Sequence, residues 1–150
     1  MATAQDIFDE AMALMDEVND AGQTDTADTA EYKNRTLFIL NVLRGELYPY
    51  SDTYVSNTKG FRPIAALIED FDTEIDLDDY ICESVMPYGL AAHLFLDENP
   101  SAAQFFQQRY EELLSKLARG LPTTSEEIVD VHFGNNTKDG GFEYDWMARW

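Results

Sequence analysis

The chain has very little cysteine or histidine. Its 150 residues include one cysteine, Cys82, and two histidines, His93 and His132. A single thiol cannot form an intrachain disulfide or a cysteine-based zinc site, which fits a reducing compartment. The two histidines are far apart in the sequence, with no further histidine or cysteine at ligand spacing, so we expect no zinc or redox-metal site. We expect His93, in helical sequence, to lie in the core or at its boundary.

Basic residues are scarce as well. Ten Lys and Arg stand against 29 Asp and Glu, which gives a formal net charge of -19. This charge repels the nucleic-acid backbone and leaves no basic stripe to bind it, which argues against sequence-specific recognition of DNA or RNA. Three interpretations of the acidity remain open: solubility, a surface for basic partners, and an acidic wall that nucleic acid passes without binding.

Long apolar runs and catalytic motifs are also absent. No run approaches the roughly 18 apolar residues of a membrane span, and the opening MATAQDIFDEAMALMDE carries acids where a signal peptide has positive charge. The sequence has no P-loop, G-x-G-x-x-G or G-x-S-x-G motif, and its carboxylates are too numerous for one acid and base pair to stand out. We therefore expect a soluble, intracellular protein with no membrane segment, no cofactor and no enzymatic activity.

Apolar residues make up 45% of the chain, enough for one folded domain, and they recur at helical spacing. They predict a helix over 5–18, which is followed by a loop with Gly22 as the stop. A second helix begins at Thr29 and is ended by Pro49, and it is apolar on so many sides that we expect it to be central. A short third helix over 64–71 is expected to face inward with Ile64, Leu67, Ile68 and Phe71.

Two further helices are predicted before the end of the bundle. Pro87 and Gly89 predict a kink or break in the helical run 77–96. Asn99 and Pro100 are the residue types favoured at the N-cap and at the first position of a helix. The buried stripe predicted for this last helix consists of Phe105, Phe106, Tyr110, Leu113, Leu114 and Leu117.

Seven acids crowd into the eleven residues EDFDTEIDLDD, the acidic segment 69–79. One hypothesis is a calcium loop, with ligands at Asp72, Glu74, Asp76, Asp78 and Glu83. Leu77 disfavours it, because the loop needs glycine at that position. The favoured interpretation is a helix start capped by Asp76, where acids oppose the helix dipole while Phe71, Ile75 and Leu77 are buried beneath them.

Residues 121–150 differ in character from the rest. EEIVDVHF has the alternation of a β-strand, GNNTKDGG is turn-like, and FEYDWMARW contains four aromatic residues. These side chains would form a large apolar patch in water, so we expect the segment to dock on its own bundle or on another chain, and both remain open. The residues predicted to bind a partner are Val129, Val131, Phe133, Phe142, Tyr144, Trp146 and Trp150.

Three stretches are similar to one known family. They are NRTLFILNVLRGELYPYSD, then ICESVMPYGLAAHLFLDENPSAAQFFQQRYEELL, and an aromatic-rich ending with ARW. In these stretches the chain resembles the small head-tail connector proteins of long-tailed bacteriophages and prophages, which are head-completion or adaptor proteins. The resemblance runs from about Glu31 to Gly120 and includes the tail, and its motifs are structural rather than catalytic.

Taken together, the patterns predict a mainly α protein, with a bundle of four to five helices in 1–120 and an extended C-terminal arm in 121–150 that contains a short β-strand or hairpin. The resemblance implies a homo-oligomeric, commonly dodecameric ring beneath the portal protein at the head-tail junction of the virion, made in the host cytoplasm during assembly. Such a ring extends the channel through which DNA passes without sequence-specific binding, and it offers a stopper or tail-terminator protein a platform. The alternative is a small acidic adaptor that binds a basic protein partner.

Overall fold

The computed structural model of the chain describes residues 1–54 and 65–120. In these residues the protein is mainly helical, as predicted, and they contain no strand, although Thr3 and Glu74 form an isolated β-bridge. The predicted C-terminal arm, with its strand or hairpin, lies outside the described residues. None of the described helices is long and apolar enough to cross a membrane. The elements in chain order are α1 (Ala4–Leu14), α2 (Ala30–Leu47), a 3₁₀ turn (Tyr48–Tyr50), α3 (Asp79–Ser84), α4 (Met86–Leu94) and α5 (Pro100–Gly120).

Local capping groups define both ends of α1. The Thr3 hydroxyl accepts from the backbone N–H of Asp6 at 3.2 Å, and the backbone N–H of Thr3 donates to the Asp6 carboxylate at 2.8 Å. The helix ends earlier than predicted, because Asp16 adopts a left-handed φ of 61°. The N–H groups of Asp16 and the next residue then turn back to carbonyls of the last helical turn. Gly22, the predicted stop, lies in the loop that follows.

The second helix starts after Thr29 and ends before Pro49, as predicted. The prediction that this helix is central is wrong, because Phe38 and Val42 on its outer face are 78% and 57% exposed. The central helix is α4, which is buried along most of its length and packs against α1, α2, α3 and α5. The glycine and alanines in its sequence, MPYGLAAHL, let four neighbouring helices pack closely against α4.

The prediction of a helix over 64–71 is wrong for the described residues 65–71. They form a non-helical segment along α2. The side chain of Asn41 donates to the carbonyl of Ile68 at 2.9 Å and accepts from its N–H at 3.1 Å. Asn41 thus takes both backbone groups that a helix would pair internally. Arg44 likewise donates to a carbonyl of this segment, so two polar side chains of α2 hold it in place.

The inward-facing residues predicted in this segment have different outcomes. Ile68 is 3% exposed and Phe71 is partly buried, as predicted. Leu67 is 60% exposed, contrary to the prediction, and the adjacent Ala66 is exposed as well. Ile64 lies outside the described residues.

The break predicted in the run 77–96 is confirmed. α3 ends at Ser84 and α4 begins at Met86, with Pro87 in its first turn, where the missing N–H leaves no helical hydrogen bond unmade. Asn99 caps α5 as predicted, since its Oδ1 accepts from the N–H of Ala102 at 3.1 Å. These polar and proline signals act on adjacent backbone, which is why the sequence reveals them.

The buried stripe of α5 is confirmed except for Phe105. Phe106, Tyr110 and Leu113 are buried, and Leu114 and Leu117 are partly buried. The ring of Phe106 packs 6.1 Å from that of Phe95 and 6.4 Å from that of Tyr88, measured between centroids. Adjacent helical residues point about 100° apart, so Phe105 is turned outward and is 62% exposed.

One apolar core joins the five helices and the acidic segment. It explains why so acidic a chain folds, since burial of apolar area is the dominant favourable term. The largest fully buried side chains are Phe8, Ile7, Met12, Leu40, Leu43, Leu47, Ile75, Ile81, Met86, Leu90, Leu94 and Val85.

Candidate interaction surfaces

The seven residues predicted to bind a partner lie outside the described part of the chain. They are Val129, Val131, Phe133, Phe142, Tyr144, Trp146 and Trp150. The described residues nevertheless contain three features that bear on partners: an acidic segment, exposed apolar side chains and a groove between helices.

The acidic segment is attached to the amino end of α1. The N–H groups of Ala4 and Gln5, which a helix leaves without internal partners, donate to carbonyls of the segment at 3.3 and 3.0 Å. Ile75 and Leu77 are buried and Phe71 is partly buried, as predicted, while most of the acids between them are exposed. The segment therefore presents carboxylates to solvent from a backbone anchored to the core.

The helix that follows begins later than predicted, and Asp76 is not its cap. Asp78 occupies the N-cap position of α3, without a side-chain cap bond. The carboxylate of Asp78 instead accepts from the N–H of Asp52 at 3.0 Å. The carbonyl of Asp76 accepts from the hydroxyl of Thr53 at 2.9 Å. These long-range partners compete with the local capping that the sequence favours.

The calcium-loop hypothesis required several carboxylates around one ion. Within residues 1–54 and 65–120, no group of three His, Cys, Asp or Glu side chains is close enough to hold a metal. All the proposed ligands belong to this part of the chain, where they follow the acidic segment and enter α3 instead of converging. The template is therefore wrong for this segment.

Cys82 is fully buried in α3. Its Sγ lies 3.8 Å from the carbonyl oxygen of Leu77. Burial, with a further contribution from the nearby Asp79 and Asp78 charges, raises the pKa of the thiol to about 12. A thiol in this state is a poor nucleophile at neutral pH, so its place is in packing.

His93 is exposed on α4, contrary to the core or boundary position predicted for it. Its backbone carbonyl accepts from Arg35 of α2 at 3.4 Å. The other histidine, His132, lies outside the described residues. His93 therefore contributes to the surface near the end of α4.

Large apolar side chains are exposed on two different helices. Phe38 and Val42 lie one turn apart on α2, and we call this pair the α2 patch. Phe105 of α5 and Leu96, in the turn before α5, are 62% and 60% exposed. Single exposed apolar residues are ordinary, but two on one helix face provide a surface that a partner can cover.

A groove of about 580 Å³, which we call the α1–α5 groove, lies where α1, α3, α4 and α5 meet. This volume is within the usual range of ligand-binding clefts. Its rim exposes apolar surface, since Leu14 is 37% and Tyr80 is 50% exposed. Its lining includes Glu10, Leu14, Tyr80, Glu83, Arg109 and Leu113.

Glu10 is the unusual polar group in this groove. Its Oε2 is buried and has no hydrogen-bond partner among the described residues. Burial raises the pKa of Glu10, and repulsion by Glu83 and Asp6 raises it further. Arg109 is already engaged, because it donates to Glu112 at 3.1 Å and its guanidinium lies 6.0 Å from the ring centroid of Tyr88. The groove therefore combines apolar walls with a carboxylate oxygen that has no donor within residues 1–54 and 65–120.

Sequence patterns do not reveal this groove, because its residues come from separate helices that only the fold brings together. One signal was available. Glu10 is three residues after Ile7 and four before Leu14, so it interrupts the apolar face of α1. An acid in that position is unusual enough to indicate a site or a helix edge.

Comparison of the chain with protein-family models, with curated proteins and with solved structures found no match. No relative therefore assigns a role to any of these residues. Their function is inferred from the chemistry of this chain.

Proposed function

We propose that this protein is a structural, non-enzymatic virion component that forms a homo-oligomeric ring at the head-tail junction, beneath the portal protein. In this role it extends the DNA channel and offers an attachment platform to a stopper or tail-terminator protein. The sequence resemblance suggests this role. The structural observation that supports it is the exposure of large apolar side chains on two different helices.

A ring requires two different contact surfaces on each subunit, and the exposed apolar side chains lie on two different helices. Each subunit of a cyclic ring uses one surface toward the neighbour ahead and a different surface toward the neighbour behind. The α2 patch supplies one apolar surface, and Phe105 of α5 supplies another. Burying a phenylalanine side chain contributes roughly 1.5–3 kcal/mol, so these residues suit the centre of such a contact.

The charge supports the same role. Exposed carboxylates of the acidic segment and the net charge of -19 create a surface that repels phosphate. Repulsion between exposed charges extends about 8–10 Å at physiological salt before ions screen it. A channel wall of this kind lets DNA slide past without capture.

The test is assembly in the presence of purified portal protein, observed by light scattering and negative-stain microscopy. The full chain should form rings, and Phe38→Ser and Phe105→Ser should each weaken them. Leu67→Ser is the matched control, because Leu67 is similarly exposed but lies outside both helices. Far-UV circular dichroism should show that all three variants keep the wild-type fold, since surface substitutions usually change stability by less than about 0.5 kcal/mol.

Two results would contradict the proposal. One is a wild-type chain that stays monomeric with portal present. The other is ring formation that neither phenylalanine substitution reduces, because the exposed apolar side chains would then have no part in assembly.

The exposed acidic segment also supports a second candidate function, a small adaptor that binds a basic protein as a monomer or dimer. Asp72, Glu74 and Asp76 are exposed on an anchored backbone, which suits a charge-complementary surface. This function predicts no ring. It predicts binding to a basic polypeptide such as polylysine that weakens steeply with salt and is reduced by Asp72→Asn with Glu74→Gln.

A further inference from the structure

The chemistry of the α1–α5 groove defines the kind of group that would fill it. The carboxylates of Glu10 and Glu83 favour a positively charged group in the groove. The buried Oε2 of Glu10 accepts from no donor in the described part of the chain. The apolar walls of the groove favour an apolar or aromatic side chain next to that cation, and they include Leu14, Tyr80 and Leu113. An arginine or lysine flanked by large aromatic side chains satisfies both demands.

The chain itself contains such a segment. In WMARW, residues 146–150, Arg149 lies beside Trp150 and three residues after Trp146. Among the described residues, the basic groups Lys33, Arg35 and Arg109 are already in ion pairs with acids. Indole rings have large apolar faces together with one N–H donor, so they suit a groove with apolar walls and carboxylates.

The distances allow this segment to reach the groove. Arg109 and Leu113 belong to α5, the helix that ends at Gly120, so the groove begins about 10–16 Å from that end at 1.5 Å per residue. A flexible chain of the length from Gly120 to Trp146 spans about 30 Å on average. The segment can therefore reach the groove of its own chain or that of an adjacent copy.

We propose that residues 146–150 of this chain bind in the α1–α5 groove, with the Arg149 guanidinium paired with Glu10 and Glu83 and the two indoles covering Leu14, Tyr80 and Leu113. Docking removes the apolar side chains of the groove and the two indole rings of the segment from water. It also gives Glu10 Oε2 a hydrogen-bond donor. This docking does not require the proposed ring, because it holds in a single chain as well as between neighbours.

Tryptophan fluorescence tests the proposal on the full chain. Trp146 and Trp150 are the only tryptophans, so emission reports on this segment alone. The native protein should show blue-shifted emission and slow acrylamide quenching relative to the protein in denaturant. Either Arg149→Gln or the pair Glu10→Gln with Glu83→Gln should lower the docked-to-free ratio by about tenfold or more, since charged hydrogen bonds are worth that much.

Two control variants locate the effect. Arg62→Gln removes an arginine that adjoins Phe61 in the sequence, and Glu74→Gln removes an exposed acid outside the groove. Neither should change the emission. Combining the groove pair with Arg149→Gln should add little to either alone, as expected for partners in one contact. The charge exchange Glu83→Arg with Arg149→Glu leaves Glu10 unchanged and should restore part of the docking, which keeps the test valid if Glu10→Gln impairs folding.

Three results would overturn the proposal: native emission equal to that of the denatured chain, burial that the groove variants leave unchanged, or a loss of burial on Arg62→Gln but not on Arg149→Gln. Burial that is independent of protein concentration shows docking within one chain, and burial that grows with concentration shows docking between copies. Both support the proposed contact. Light scattering measures assembly separately, so a protein that docks its terminus but forms no ring with portal would refute the connector function alone.

Discussion

Replacing Gly89 by alanine should destabilise this fold, although alanine is the better helix former. Gly89 lies in the central helix α4, where a Cβ would meet two Leu43 methyl carbons at 3.0 and 3.1 Å and the Tyr110 ring at 3.1 Å. Neither neighbour can easily retreat. Leu43 is 1% exposed, and the Tyr110 hydroxyl donates to Glu46 at 3.0 Å.

The magnitude follows from two opposing effects. Overpacking a well-filled core destabilises by about 1–3 kcal/mol. Gly to Ala in a helix contributes about 1 kcal/mol in the other direction. We therefore expect Gly89→Ala to lower the free energy of unfolding by about 1 kcal/mol, which corresponds to a fall in Tm of roughly 2–4 °C for a chain of this size.

Urea denaturation followed by far-UV circular dichroism measures this change, with Gly45→Ala as the matched control. Gly45 lies in α2 with no atom within 4 Å of the Cβ position. Its substitution should stabilise by about 0.5–1 kcal/mol, with the same dependence on urea as the wild type. If Gly89→Ala stabilises as much as Gly45→Ala, the close approach of α2 and α5 to α4 is refuted.

Two further substitutions test other parts of the structure. Asn41→Ala should destabilise by about 2 kcal/mol, because it leaves the backbone N–H and carbonyl of Ile68 without their partner; exposed Asn34→Ala on the same helix is the control in urea melts, and equal effects would refute the assignment. Alkaline solution should weaken the fold through Cys82, because burial raises the pKa of its thiol to about 12 from an ordinary value of 9.0. The folded state holds the thiol proton more tightly, so this contribution is complete below about pH 9 and is lost as pH rises toward 12. Cys82→Ala should show a shallower decline in urea midpoint between pH 8 and 11, and identical declines would contradict this account.

Where the sequence predicted well, the signal and the structure it controls are close together in the chain. Asn99 caps α5 through an N–H three residues away, and Pro49 ends α2 by its own missing N–H. Pro87 marks the break before α4 for the same reason. The burial of Ile75 beneath the acids also follows from local alternation.

The predictions that failed concern residues whose partners are distant in sequence. Residues 64–71 have helical spacing, yet the side chain of Asn41 binds the backbone of Ile68 and prevents a helix there. Asp76 is a capping residue type, yet α3 begins at Asp79. In both places a backbone group or a carboxylate forms a hydrogen bond with a residue distant in sequence, where the local pattern predicted a helix.

The candidate site follows the same rule. The aromatic and cationic character of WMARW is evident from the residues alone, because it is a property of composition. The groove is not, since Glu10, Glu83 and Arg109 come from three helices that meet only after packing.

The sequence by itself thus determined the helical class, most helix ends and the acidic surface, through interactions that span a few residues. The tertiary structure alone decided that α4 is central, which apolar side chains stay exposed and where a carboxylate oxygen is buried with no donor in the described part of the chain, because these depend on contacts between distant residues.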